Sequence, residues 1–409
     1  MTSQVGIERI RCYPTTQGLH MDDLCAARGF DVPYVRDQLQ VEARGVNPPW
    51  EDPVTMAVDV ARPMLAGIDP DEIGLLIVGT ESGVDQEKSI STWVHHYLGL
   101  GPHCRNFEAK HACYATTGCL QLVLGWLASG IAGNKKALLI NTDQSLVQRS
   151  QPWEPVTGAG AVALLVSNTP RLVSYELGRN GIHASEVSDV FRPTPRIEMG
   201  NSETSMFSYL EALEGAFDDY VAQVPESKAF DSFFDWHVYH MPFPGMAPRA
   251  HRAVLSAATN LTRAEAQAHF ERKCRPSTSF ARRTGGCYGG STFVGLMGLV
   301  ESAPVQPGDR VGVFAYGSGS CAEFQSVRIL PDAKAVVREA ALDAVLDARR
   351  RLPVAEFDAI EDERDASVMA RDYVPDYGAC GGWYQQRYEG QGMLVLDKID
   401  GYYRHYRWS

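Results

Sequence analysis

Four short runs of this chain are apolar without alternation: Ile73–Gly79, 137–140, 161–166 and 311–316. A strand with one wet face alternates polar and apolar residues, whereas a strand covered on both faces does not. Such runs therefore require helices packed on both sides of a sheet, which predicts an α/β protein with a mostly parallel or mixed sheet. The intervening sequence supplies the covering layers. Helices are predicted over 21–28, 35–40, 55–66, 89–98, 252–260 and 263–272, and an amphipathic one over 335–351. The segment 120–131 is apolar on every side, so it is expected to be a helix buried all round. A second apolar helix is expected near Phe293–Leu299, after the turn Gly285-Gly286-Cys287-Tyr288-Gly289-Gly290-Ser291. Strands are expected at 5–12 and 393–397, an acidic surface segment at 356–372, and a polar-aromatic tail from Tyr402 to Trp408.

Composition narrows the function classes. The 409 residues are 44% hydrophobic and 22% charged, ample for a large core. The net charge of −12 is the wrong sign for a nucleic-acid binder, which must neutralise phosphates. No apolar run reaches the ~18 residues of a membrane span, and the first residues lack the basic and apolar regions of a secretion signal. Nine cysteines, none in a C-x-x-C pair, suggest reduced thiols in the cytoplasm rather than a disulfide framework or a metal site.

Three residues stand where chemistry is plausible on local grounds. Cys113, in Lys110-His111-Ala112-Cys113-Tyr114, precedes the apolar helix; a helix N-terminus favours an anion and lowers a thiol pKa. The competing reading is a core cysteine. Glu81 follows a fully apolar strand, where a carboxylate is costly unless paired or raised in pKa, as a general base is; the alternative is a cap on the next helix. His240 sits between a strand and the turn Pro242-Phe243-Pro244, a rigid mount for an acid–base group, with His237 or a core role as rivals. The turn Gly317-Ser318-Gly319-Ser320 could offer amides to an oxyanion, or be only a tight turn.

Taken in order, Glu81-Ser82-Gly83-Val84-Asp85, Ala112-Cys113-Tyr114, Gly158-Ala159-Gly160-Ala161-Val162, His240 with Pro242-Phe243, Ala250-His251-Arg252 and Tyr316-Gly317-Ser318-Gly319 resemble the hydroxymethylglutaryl-CoA synthase family of the thiolase superfamily. The resemblance implies a thiolase-like fold: two similar βαβ-rich halves, residues 1–170 and 171–409, packed as a layered αβαβα core, with an acidic surface insertion near 353–378. It implies an acyltransferase with Cys113 as acetyl carrier, Glu81 as base and His240 as the group orienting the acceptor. Substrate contacts are implied at Ser205, Arg249, Gly286, Tyr316, Gly317 and Ser318. No permanent cofactor or metal is implied; the acyl groups ride on the phosphopantetheine of an acyl carrier protein or on coenzyme A. A homodimer is implied as well.

Two departures from the family pattern matter. Members that use coenzyme A carry lysines after the histidine, where this chain has Gly245 and Pro248, and only Arg249 keeps a charge. The chain therefore looks more like the branch acting in polyketide β-branching, with donor and acceptor carrier proteins, than like a CoA-dependent synthase of the mevalonate pathway. Gly286 stands where the family has an Asn that helps hold the acceptor. Losing one such donor typically costs ~2.7–4 kcal/mol, which leaves a catalytically weak carrier-binding scaffold as the reading from another class.

Overall fold

All four apolar runs lie in one nine-stranded mixed sheet of the computed structural model, which describes residues 4–145 and 149–409. In chain order the strands are β1 (Gly6–Tyr13), β2 (Ile73–Gly79), β3 (Arg105–Ala109), β4 (Lys136–Gln144), β5 (Ala159–Ser167), β6 (Val173–Ala184), β7 (Trp236–Tyr239), β8 (Arg310–Gly317) and β9 (Cys321–Ile329). Their order across the sheet is β7-β8-β9-β6-β1-β5-β4-β2-β3. The parallel pairs are β2 with β3, β2 with β4, and β7 with β8. These are the places where strand ends gather beneath helix starts, the usual position of a site in an α/β sheet. The sheet is continuous from end to end because β1 meets β6 through Gly6↔Ser174 and Ile7↔Val173.

Four helices position the site: α1 (Ala115–Ala128), α2 (Ser202–Gln223), α3 (Met246–Ala258) and α4 (Ser291–Ser302). Helix α4 buries every residue from Ser291 to Val300, as its all-round apolar sequence requires. Helix α1 has a similar composition but a different fate. It buries Leu120, Val123, Leu124 and Leu127, while Leu122 is 65% exposed and Ile131, beyond its end, 78% exposed. The expectation of a helix buried all round is corrected here: apolar residues alone do not say how many sides are covered.

Other elements shift in instructive ways. The single amphipathic helix expected over 335–351 is two, Ala333–Ala340 and Leu342–Asp347, broken at Ala341, whose φ of 50° is left-handed. Arg350–Arg351 then adds a strand beside Gln17–His20. The aromatic tail is a strand, Tyr403–Trp408, paired with Leu394–Asp400. Helix Val354–Ser367 buries Phe357 and Ile360 beneath its acidic outer face. The long helix α2 and the hairpin Val190–Thr194/Ile197–Gly200 are not among the expected elements.

Candidate active site

The site is built by close backbone approach. Strand β2 ends at Gly79, where a Cβ would stand 2.5 Å from Thr116 Oγ1 and 2.9 Å from the Thr116 amide. Only glycine lets the start of α1 settle this near the strand end. That contact brings Glu81, two residues past Gly79, to Cys113, three residues before Thr116. The Cys113 thiol donates to Glu81 Oε2 over 3.4 Å. On the other side, Gly317 packs against the Tyr114 amide and Gly289 against the Cys113 carbonyl, both too closely for a side chain. The nucleophile turn is thus held between β2, β8 and the glycine-rich turn before α4.

Electrostatics tie the pair together. Burial first, then the Asp143 carboxylate, push the Glu81 carboxyl up to about 8. Asp143 lies fully inside, accepting from the Thr80 hydroxyl and the Glu81 amide at 2.9 Å each and from the Asn141 side chain at 2.7 Å. Burial also pushes the Cys113 thiol well up, reinforced by Glu81 and Asp143. The expected lowering by a helix terminus is therefore corrected: desolvation and two carboxylates outweigh it. Glu81 does not cap a helix; Ser89 caps Ile90–Tyr97, and Glu108 accepts from the Ile90 amide.

His240 faces the same cavity. Its amide donates to the Phe314 carbonyl over 2.7 Å, which fixes it to β8. Ser291 Oγ accepts from the Met241 amide at 3.0 Å and lies 2.9 Å from His240 Nδ1. When the hydroxyl gives its proton to Nδ1, Nε2 carries the ring proton. Burial pushes this imidazole down to about 3, leaving it neutral, with Nε2 lacking a partner among the described residues. A neutral N–H aimed into a cavity is a donor for a carbonyl oxygen. His237 has no such outlet: it is buried and stacked on Phe230 at 4.5 Å and 9°.

The cavity that joins Cys113, Glu81 and His240 has a volume of about 1230 Å³. Residues 1–170 match the family model described as hydroxymethylglutaryl-coenzyme A synthase N terminal, and residues 251–407 match its C-terminal counterpart. The chain belongs to the hydroxymethylglutaryl-CoA synthase family. It is 33% identical to the polyketide biosynthesis 3-hydroxy-3-methylglutaryl-ACP synthase PksG of Bacillus subtilis, over 98% of this chain and 99% of that one. It is 30% identical to the hydroxymethylglutaryl-CoA synthase of Enterococcus faecalis, over 87% and 91% of the two chains. Among solved structures, the curacin biosynthetic pathway HMG synthase in complex with holo donor-ACP superposes with a TM-score of 0.95 at 34% identity, covering 99% of this chain and all of that one. Members of this family are acyl-transferring enzymes that form a carbon–carbon bond, and the fold here is thiolase-like.

The remaining expected contacts of a hydroxymethylglutaryl-CoA synthase fall as follows. Ser205, in the first turn of α2, and Arg249, on α3, line the cavity, as do Gly286, Tyr316 and Ser318. Gly317 does not open into it but sits behind, against Tyr114. The Tyr316 hydroxyl is engaged, donating to Asp189 Oδ2 over 2.7 Å, and Asp189 also accepts from the Gly319 amide at 3.1 Å. At Gly286 a Cβ would stand 2.6 Å from the Val156 carbonyl oxygen, so the backbone of 156–158 fills the place where a family Asn would start. Sequence reasoning missed Asp143, Asp189, Ser291 and Arg192. Asp143 had a visible signal, a carboxylate inside an apolar strand; the others are joined to the site only by contacts distant in the chain.

Proposed function

We propose that the protein condenses an acetyl group from an acetyl-acyl carrier protein with a carrier-bound β-ketothioester, giving a β-hydroxy-β-carboxymethyl product of polyketide β-branching. The observation that carries this reading is the Cys113–Glu81 contact facing His240 Nε2 across one cavity. The Cys113 sulfur attacks the donor thioester carbonyl, the bond to the carrier sulfur breaks, and the Cys113 proton leaves on the carrier thiol, so that Glu81 is a free carboxylate beside acetyl-Cys113. The Cys113 amide and the amide of Ser318, the residue of the Gly317–Ser318 turn that lines the cavity, hold the oxyanion. Glu81 then takes a proton from the acetyl methyl. The enolate carbon attacks the acceptor's β-carbonyl, whose oxygen accepts from His240 Nε2–H. Glu81 returns its proton to that alkoxide, and water cleaves the Cys113 thioester, leaving a carboxylate.

The choice of carrier protein over coenzyme A rests on packing as well as charge. At Gly245 a Cβ would stand 1.8 Å from the Gln38 carbonyl oxygen, so no lysine side chain can leave this backbone. Arg249 remains, over the Phe243 ring at 5.6 Å and without an ion pair among the described residues. One cation suits the single phosphate of a carrier-bound phosphopantetheine, with Ser205 beside the arm. The solved curacin HMG synthase complexes contain a donor ACP. The same reading includes a homodimer, whose contact would cover exposed Leu122, and a reducing cytoplasm, where nine unpaired cysteines persist.

Intact-protein mass spectrometry of the chain mixed with acetyl-carrier protein or with acetyl-CoA tests the reading. Acetylation of Cys113 by the carrier protein, much slower from the CoA ester and absent in Cys113→Ala, is expected. Equal or faster acetylation by acetyl-CoA overturns the carrier preference, and no adduct from either makes the protein a scaffold.

A further inference from the structure

The hairpin Val190–Thr194/Ile197–Gly200 folds over Glu81 and places one cation there. Arg192 Nη1 donates to the Glu81 carbonyl oxygen over 3.2 Å and to Ser82 Oγ over 3.4 Å. Arg192 Nη2 donates to Glu198 Oε2 over 2.6 Å and stands 4.0 Å from Glu81 Oε1. The guanidinium is thus fixed between the hairpin's own carboxylate and the main chain of the base, with its Nε buried and without a partner among the described residues.

The charges facing Glu81 are Asp143 from β4, Glu198 and Arg192 from the hairpin, and the Cys113 thiol before α1, with the Tyr288 hydroxyl nearby. Three carboxyl groups therefore crowd around one guanidinium, with Glu81, Glu198 and Arg192 each only partly exposed. Without that cation, like charges in low dielectric cannot all ionise, and the last to do so is the one with the fewest donors. Asp143 has three donors. Among the described residues, the one donor to the Glu81 carboxylate is the Cys113 thiol, which acetylation removes.

We propose that Arg192 is a positioning residue for carbon–carbon bond formation: from the hairpin it clamps the Glu81 peptide and supplies the charge that lets the Glu81 carboxylate exist beside acetyl-Cys113. The proposal rests on the condensation reading above. Its claim is specific to the second chemical step, because Glu81 must be a free carboxylate when it removes the methyl proton, after the thiol proton has gone. Glu198 sets how much of that charge reaches Glu81. Weakening Glu198 strengthens the pull of Arg192 on the base.

The test is the pH profile of two separate steps, Cys113 acetylation and product formation from the acetyl-enzyme, in wild type, R192M, R192K and E198Q. In R192M the rising limb of condensation is expected to move to higher pH by about one unit, with condensation at pH 7 falling about tenfold more than acetylation. R192K is expected to recover most of the shift, and E198Q to move the limb the opposite way. If R192M does not fold, R192K and E198Q still read opposite signs. Equal losses in both steps with an unmoved limb in every variant would mean that Arg192 only holds the hairpin. A wild type that is acetylated but never condenses overturns the base assignment and this proposal together. A wild type that condenses, with limbs that do not shift, overturns this proposal alone.

Discussion

At Glu81 the carboxyl is raised to about 8, so roughly a tenth is ionised at pH 7. The ionised form is the base, and condensation is therefore expected to rise with pH up to about 8 and level off above it. His240, held down to about 3, stays neutral from pH 5 to 9 and adds no limb to that profile; a stopped-flow profile with a second limb near 6.5 would contradict a neutral imidazole. Removing the base as E81Q is expected to lower condensation ~10²- to 10⁴-fold, with acetylated Cys113 accumulating in the mass spectrum. At Gly286 the obstacle is steric. G286N must displace the 156–158 backbone, so it is expected to lose about 1–3 kcal/mol from overpacking, visible as a lower Tm, rather than to gain rate. Activity above that of the native protein would show that the loop yields easily.

At the scale of elements, the fold depends on strand ends that helices can touch. Gly79→Val is expected to push the start of α1 off β2, lowering stability by about 1–3 kcal/mol and separating Cys113 from Glu81; loss of acetylation at a temperature where circular dichroism shows a folded protein checks it. The buried strands were legible because two covered faces erase alternation, and Cys113, Glu81 and His240 because each sits where such a strand or an apolar helix ends. Helix α2 carries legible signals too: Asn201 caps it by accepting from the amides of Glu203 and Thr204, and Tyr209, Leu213, Phe217 and Tyr220 repeat at helical spacing. The hairpin carrying Arg192 does not. A bulge between Ile197 and Met199 breaks its alternation, and its partner Glu81 lies far back in the chain. The exposure of Leu122 was equally hidden, since periodicity cannot count the layers around a helix.

For the molecule as a whole, the largest core cluster runs from Val5 and Leu120 through Leu164 and Tyr209 to Phe314 and Leu346, so the residues before and after 170 share one interior. With the sheet also continuous through β1 and β6, a single calorimetric transition is expected despite the 409-residue length; two resolved peaks would show that the two parts melt separately.

Gly245 bears on how enzymes of this kind exchange one carrier for another. Because the Gln38 carbonyl already occupies the path of any side chain, a mutation to lysine is unavailable until the 34–39 segment has first moved away. Two changes must therefore occur in a set order, the first with no benefit of its own. A lysine at position 245 is thus tied to the 34–39 segment: the glycine can change only with the loop.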